Sequence, residues 1–267
     1  MKIPFTKAHG AHNDFLLTWR SEVPEMESAT YPDLARAICE RHTGIGADGW
    51  MLVDPPSDPD AEGAIHLYNS DGSEAEISGN GTRCAAAFLI RHGHAAGIVR
   101  IRTGAGIKTL RLLGRRDLEF EFEMNMGRAE ITEERLPLEL SSGARDVTLV
   151  WVGNPQCAVP VENFEFDWRA MGAEIERHAR FPKRTNVSFV RAVDRHTIDV
   201  RFWERGAGET MSSGTGSTGA AAMAVARGFA ESPVRVLTPA GAIDLRFDGD
   251  LYLTGPAQII GDGVFLV

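Results

Sequence analysis

With 267 residues, 43% hydrophobic and 24% charged, the chain has an ordinary globular composition and can bury one large domain or two of average size. A net charge of −9 argues against sequence-independent nucleic-acid binding, which needs a basic surface to neutralise phosphates. No apolar run approaches the roughly 18–20 residues of a membrane span, and the N-terminal residues MKIPFTKAHG lack the apolar stretch of a secretory signal.

The three cysteines, Cys39, Cys84 and Cys157, are odd in number and have no metal-type spacing. The chain is therefore expected to carry no disulfide framework and no metal, and to work in a reducing cytoplasm. The pairs His9/His12 and His92/His94 have no cysteine or carboxylate at ligand spacing and read as loop residues.

In chain order, a polar turn over Gly10–Asn13 precedes a short apolar strand, Asp14–Trp19. Tyr31–Arg41 reads as a helix, with Pro32 in its first turn and Leu34, Ala37 and Ile38 at helical spacing. Strands follow at Gly49–Val53 and Ala64–Tyr68, then an Ala-rich helix over Gly81–Arg91, stopped by His92-Gly93. Ile98–Met126 is strand-rich, with Gly104–Gly106 as a turn and strict alternation over Leu118–Met124, the mark of a sheet with one wet face. The charged, irregular stretch Glu130–Ala144 reads as a linker between halves.

Beyond it come a strand at Val147–Val152, a polar turn over Gly153–Gln156, and a helix capped by Asp167 and running to about Ala179. Strands at Asn186–Val190 and Thr197–Trp203 lead to a second Ala-rich helix, Gly216–Arg227. Four short strands close the chain: Val234–Leu237, Ile243–Phe247, Leu251–Thr254 and Gln258–Val267.

Each half thus runs strand, helix, strand, loop, helix, strands, and the two loops nearly repeat each other. Asn69–Ala87 reads NSDGSEAEISGNGTRCAAA and Glu204–Ala222 reads ERGAGETMSSGTGSTGAAA. Aligning Ser78 with Ser213, 135 residues on, gives Ser-Gly-x-Gly-x-x-x-Ala-Ala-Ala in both, with Asn69 and Glu204 nine places upstream and Glu74 and Glu209 four places upstream. Asn13 and Asn154 are 141 apart, and Thr43 and Thr185 are 142 apart. We read this as duplication of an α+β unit with mostly antiparallel strands. Glycines ahead of a helix let a ligand approach the backbone, and the first-turn amides, which have no intrahelical acceptors, attract an anion. The pattern is neither a P-loop nor a GxGxxG fingerprint, and neither serine sits in a G-x-S-x-G elbow.

A family resemblance rests on these residues. Asn13-Asp14-Phe15, Thr43-Gly44-Ile45-Gly46-Ala47-Asp48-Gly49, Asn69–Glu74, Ser78–Cys84, Val152-Gly153-Asn154-Pro155, Thr185-Asn186-Val187 and Glu204–Thr210 resemble, in order and over essentially the whole chain, the blocks of diaminopimelate epimerase. The resemblance implies two pseudo-symmetric domains, each a strand-rich barrel around a central helix, with the active site in the cleft between them. Residues 1–128 plus about 258–267 would form one domain and residues 129–257 the other. It implies isomerisation of LL-diaminopimelate to the meso form, on the lysine and peptidoglycan pathway, without pyridoxal phosphate or metal, by a homodimer. Inverting a carbon needs a base on one face and an acid on the other, which duplication supplies; in the family both are cysteines, whose thiols titrate near neutral pH when tuned.

The positions matching those cysteines are Ser78 and Ser213, and Gln156 stands where the family usually has histidine. Cys84 and Cys157 read as core residues. By position, Ser78, Ser213 and Glu204 are the candidate catalytic residues. Asn13, Asn69, Asn154, Asn186 and Arg205 match positions that hold the amino-acid substrate, and Gly79, Asn80, Gly214 and Thr215 would present amides at the helix starts. Gly49 replaces a glutamine found in some members. Serine at both cysteine positions leaves three readings open: a natural divergent member, a pair of introduced substitutions, or a slow epimerase using the hydroxyls. The alternatives to diaminopimelate chemistry are a relative acting on another amino acid, such as a racemase or hydroxyproline-type dehydratase, and a silent amino-acid-binding homologue.

Overall fold

Alternation of apolar and polar residues builds most of the computed structural model, which describes residues 2–24, 30–57 and 59–267. The chain divides into two compact units, Met1–Met124 with Gly255–Val267, and Asn125–Thr254.

The first unit opens with β1 (Lys2–Gly10), which turns tightly into β2 (Asn13–Trp19). Then come α1 (Tyr31–Cys39), β3 (Gly49–Asp54), β4 (Gly63–Asn69), the two-residue β5 (Glu74–Ala75), α2 (Gly79–Arg91), β6 (Ile98–Thr103), β7 (Gly106–Arg116) and β8 (Glu119–Gly127). Neighbouring strands pair antiparallel except β2 with β3 and β4 with β6, which are parallel because a helix crosses over between them. The last strand of the chain returns to pair with β1, matching Lys2 to Leu266.

The second unit repeats this plan. It contains β9 (Glu130–Leu138), β10 (Arg145–Trp151), β11 (Pro155–Pro160), α3 (Trp168–Glu176), β12 (Asn186–Asp194), β13 (Thr197–Glu204), β14 (Gly208–Thr210), α4 (Gly214–Ala226), β15 (Val234–Thr238), β16 (Gly241–Asp248) and the start of β17 (Asp250–Leu266). Here β11–β12 and β13–β15 are the parallel pairs, again across helices.

In both units one helix is central and the other peripheral. Gly79–Leu89 of α2 and Gly214–Ala224 of α4 are buried on every side, as a helix enclosed by strands must be. Their alanines and glycines let surrounding strands approach closely. By contrast α1 buries one face, with Leu34 and Ile38 against Leu16, Trp50, Leu52 and Tyr68, and α3 sets Trp168, Met171 and Ile175 against Val187 and Phe189. The fold class is therefore α+β, two pseudo-symmetric units, each a strand-rich barrel around a central helix.

Several sequence expectations are corrected. Glu130–Ala144 is not an irregular linker: its first nine residues are β9, paired with β10 across two register shifts near Leu149. Those bulges break the period-two pattern by which a strand is read. Leu251–Thr254 and Gln258–Val267 are one strand, β17, running through Gly255-Pro256. Gly255 does not break it; a Cβ there would lie 3.0 Å from the Arg83 guanidinium carbon, so glycine answers a close approach. The short strands β5 and β14 went unread, as did β1. Helix α1 ends at Cys39, with Ala35 and Cys39 buried and Ala37 exposed. Helix α3 stops at Glu176, Gln156 lies inside β11 rather than in a turn, and His9 lies inside β1.

Candidate functional site

Each central helix begins at a serine in extended backbone, Ser78 (φ −128°, ψ 122°) and Ser213 (φ −138°, ψ 121°). In both, the serine Oγ accepts from the N–H of the second glycine of the motif, Gly81 or Gly216, at 3.1 Å. This is N-capping of two helix starts by one local rule. The second glycine is sterically required: a Cβ on Gly216 would lie 2.9 Å from Phe202 and from Ser213, and one on Gly81 would overlap Met51.

In the second unit, the β13–β14 hairpin brings Glu204 back onto Ser213. Ser213 Oγ donates to Glu204 Oε2 at 2.9 Å, and Thr210 Oγ1 donates to Glu204 Oε1 at 2.7 Å. A carboxylate that already accepts a hydroxyl proton is a proton acceptor within reach of whatever meets that hydroxyl. Beside it, Gln156 Nε2 donates to Asn154 Oδ1 at 2.7 Å and to Thr215 Oγ1 at 3.2 Å. Asn186 Nδ2 donates to the Pro155 carbonyl, and its Oδ1 accepts the Arg205 N–H at 3.0 Å. The Arg205 side chain is exposed and donates to the Lys183 carbonyl at 3.4 Å. Beneath the loop lies Glu176, 2% exposed, which accepts from Trp203 Nε1 at 2.9 Å and Gly206 N–H at 3.0 Å.

In the first unit, Ser78 is half-buried and, among the described residues, no carboxylate is hydrogen-bonded to it as Glu204 is to Ser213. Asn80 Nδ2 donates to Asn13 Oδ1 at 3.2 Å, and Asn13 Nδ2 donates to Asp48 Oδ2 at 2.7 Å. Asn69, the counterpart of Glu204, is hydrogen-bonded to Ser73 instead, at 3.0 Å. Thus chain adjacency and hydrogen bonds link Ser78, Gly79, Asn80 and Asn13 in one group, Asn69 bonds Ser73, and Glu204, Ser213, Gly214, Thr215, Asn154, Asn186 and the Arg205 backbone form the other group.

The glutamates four places upstream of each serine lie outside these groups. Glu209 forms a two-pronged ion pair with Arg169 at 2.6 and 2.7 Å, and exposed Glu74 meets the Tyr68 hydroxyl. Thr210, Asp48, Glu176 and Arg83 join the groups without having been singled out. Thr210, Asp48 and Arg83 stand inside the quoted motif blocks, which could have pointed to them; Glu176 carried no local signal. Burial pushes the Cys39 and Cys84 thiols up to about 12 and Cys157 higher still, so none supplies a thiolate near neutral pH. Among the described residues, no cluster of three His, Cys, Asp or Glu is placed to hold a metal ion, and no helix is long and apolar enough to cross a membrane. A cavity of about 270 Å³ in the first unit, lined by His66, Glu74, Glu76 and Arg102, includes neither serine.

Comparison with known proteins places this geometry among relatives. A family model described as diaminopimelate epimerase matches residues 5–132 and 148–260. The chain is 36% identical to the diaminopimelate epimerase of Desulfitobacterium hafniense, covering 97% of both chains. It is also 36% identical to that of Pseudomonas entomophila, covering 98% of this chain and 99% of the relative. Among solved structures, a hydroxyproline epimerase from Agrobacterium vitis superposes with a TM-score of 0.75 at 17% identity, over 98% of this chain and 92% of that one. A methylitaconate-delta-isomerase superposes with a TM-score of 0.68 at 16% identity, over 100% of this chain and 96% of that one. These two share the fold.

Proposed function

The chain belongs to the diaminopimelate epimerase family, and from that premise we propose an isomerase that interconverts LL- and meso-diaminopimelate by proton transfer at the α-carbon. The observation that carries the reading is the duplicated serine cap, one per unit, with closely similar backbone angles and the same hydrogen bond. Inversion at carbon needs a proton acceptor on one face and a donor on the other, and a duplicated helix start offers two equivalent groups for those roles. Ser78 and Ser213 stand at the positions of the family's cysteines. A hydroxyl is a far weaker acid than a thiol, whose reference pKa is about 8.5, so the reaction is slow on these oxygens. The Ser213–Glu204 hydrogen bond of 2.9 Å supports Ser213 as the proton-accepting group.

The amides of Gly79, Asn80, Gly214 and Thr215 take the reacting carboxylate, where they stabilise the developing carbanion. Asn13, Asn69, Asn154 and Asn186 hold the rest of the substrate, and the exposed Arg205 fork suits the distal carboxylate. The enzyme works in the cytoplasm as a homodimer, without pyridoxal phosphate or metal and without nucleic-acid or membrane partners.

The test is incubation with LL-diaminopimelate in deuterium oxide, following the α-proton. Wash-out supports the isomerase; calorimetric binding without exchange makes the chain a silent homologue and overturns it. The double variant Ser78→Cys/Ser213→Cys is expected to raise exchange by about 10²-fold or more, within the usual reach of a well-matched acid–base pair. No gain would count against diaminopimelate as the substrate.

A further inference from the structure

A buried arginine in the first turns of α2 has partners but, among the described residues, no counter-charge. Arg83 is 0% exposed. Its Nε donates to the Pro256 carbonyl at 3.0 Å, Nη1 to the Gly79 carbonyl at 3.3 Å and Nη2 to Asn80 Oδ1 at 2.6 Å. All three acceptors are neutral. Burial lowers its pKa to about 10, which still leaves it charged at neutral pH.

A guanidinium can only donate and a carboxylate can only accept. Asn80 Oδ1 is therefore committed to Arg83, which turns Asn80 Nδ2 toward Asn13 Oδ1, and Asn13 Nδ2 toward Asp48 Oδ2. A carboxamide has nearly the same shape in either orientation, so the chemical ends of this chain decide which way both amides face. Asp48 is itself anchored, accepting from the Asp14 N–H at 3.2 Å and from Arg41 at 2.7 Å. Asn13 follows a turn whose two residues, Ala11 (φ 49°) and His12 (φ 62°), are both left-handed without being glycine, a conformation that persists only when its surroundings enforce it. That turn sits against the start of α2: a Cβ on Gly10 would lie 3.0 Å from the Asn80 carbonyl oxygen.

We propose that Arg83 is a positioning residue for the substrate site of the first unit, acting through Asn80 to set the orientation of the Asn13 amide. The assignment rests on the isomerase reading above. Asn80 is 1% exposed and is spent inside the chain, whereas Asn13 is part-exposed and keeps one N–H and one lone pair for a ligand.

Two variants test this. Asn80→Asp keeps, and charges, the partner of Arg83 but sets a carboxylate against Asn13 Oδ1. A purely structural role predicts no loss from it, because the buried cation gains a counter-ion. The positioning role predicts that KM for diaminopimelate rises about tenfold while kcat changes less. Arg83→Met adds no negative charge and is expected to raise KM similarly, which separates the effect from repulsion of the substrate. In ¹⁵N-labelled protein, the side-chain amide signals of Asn13 should move in both variants. Unchanged Asn13 signals in both, or KM within twofold of wild type in both, overturn the proposal. If the wild type exchanges no α-proton, the isomerase reading fails while the amide signals still decide whether Arg83 orients Asn13.

Discussion

The two capping serines share a backbone and differ in company. Ser213 is 4% exposed and donates to Glu204, whereas Ser78 is half-buried and its counterpart carboxylate position holds Asn69, turned to Ser73. In the proposed reaction the proton-accepting role falls to Ser213 and Glu204 as a pair. Glu204→Gln preserves a hydrogen-bond acceptor for Ser213 and removes the base. Deuterium exchange is expected to fall by about 10²-fold, the lower range for a positioned general base, with the urea-unfolding midpoint little changed. An unaltered exchange rate would show that Glu204 is only a buttress for the cap.

At the scale of elements, the loop between β13 and β14 is held from below by α3. Burial opposes ionisation of Glu176, but hydrogen bonds from Trp203 and the Gly206 N–H outweigh it, with Arg184 adding, and its pKa lies below the ordinary value. A carboxyl with a lowered folded-state pKa contributes stability above its unfolded pKa, about 4.3, and loses it as pH falls through the folded value. Acid titration of the wild type should thus show stability lost below about pH 4.3 that Glu176→Gln lacks. Parallel acid curves for the two proteins would remove Glu176 as an anchor. Glu176→Ala removes the acceptor of the Trp203 and Gly206 N–H groups, and because both residues are at least partly exposed the cost is expected to be about 1 kcal/mol each.

The start of α4 is equally exacting. Gly216→Ala would press its methyl against Phe202 and Ser213, both 2.9 Å away. It is expected to destabilise by about 1–3 kcal/mol, as overpacking does, and to lower exchange by displacing Ser213. Urea denaturation alongside the exchange assay checks both.

At the scale of the molecule, each unit wraps its strands around one all-buried helix, and the thiols go inside with the rest of the core. Cys39, Cys84 and Cys157 are all buried. Iodoacetamide at pH 8 is expected to leave the native protein unmodified and its exchange activity intact, and to modify all three cysteines only after denaturation. Mass spectrometry reads this directly. Rapid labelling with loss of activity would mean that a thiol, and not a serine, carries the chemistry.

Much of this was legible in residue order alone. The duplication, the Ala-rich central helices and the family follow from local patterns: helices repeat every 3.6, and a glycine-rich loop declares itself; that each serine caps its helix came only with the structure. Whatever depended on distant partners did not. Bulges against β10 disguised β9, and Gly255 looked like a strand end until Arg83, far away in the chain, accounted for it. Glu204 meets Ser213 only because β14 folds back on β13, and the Arg83–Asn80–Asn13–Asp48 chain joins residues from three separate segments. Sequence determined which groups stand at the two helix starts, because those choices answer to their nearest neighbours. Tertiary structure decided what each group touches, because a hydrogen bond between distant segments is settled only when packing brings donor and acceptor within 3 Å or so.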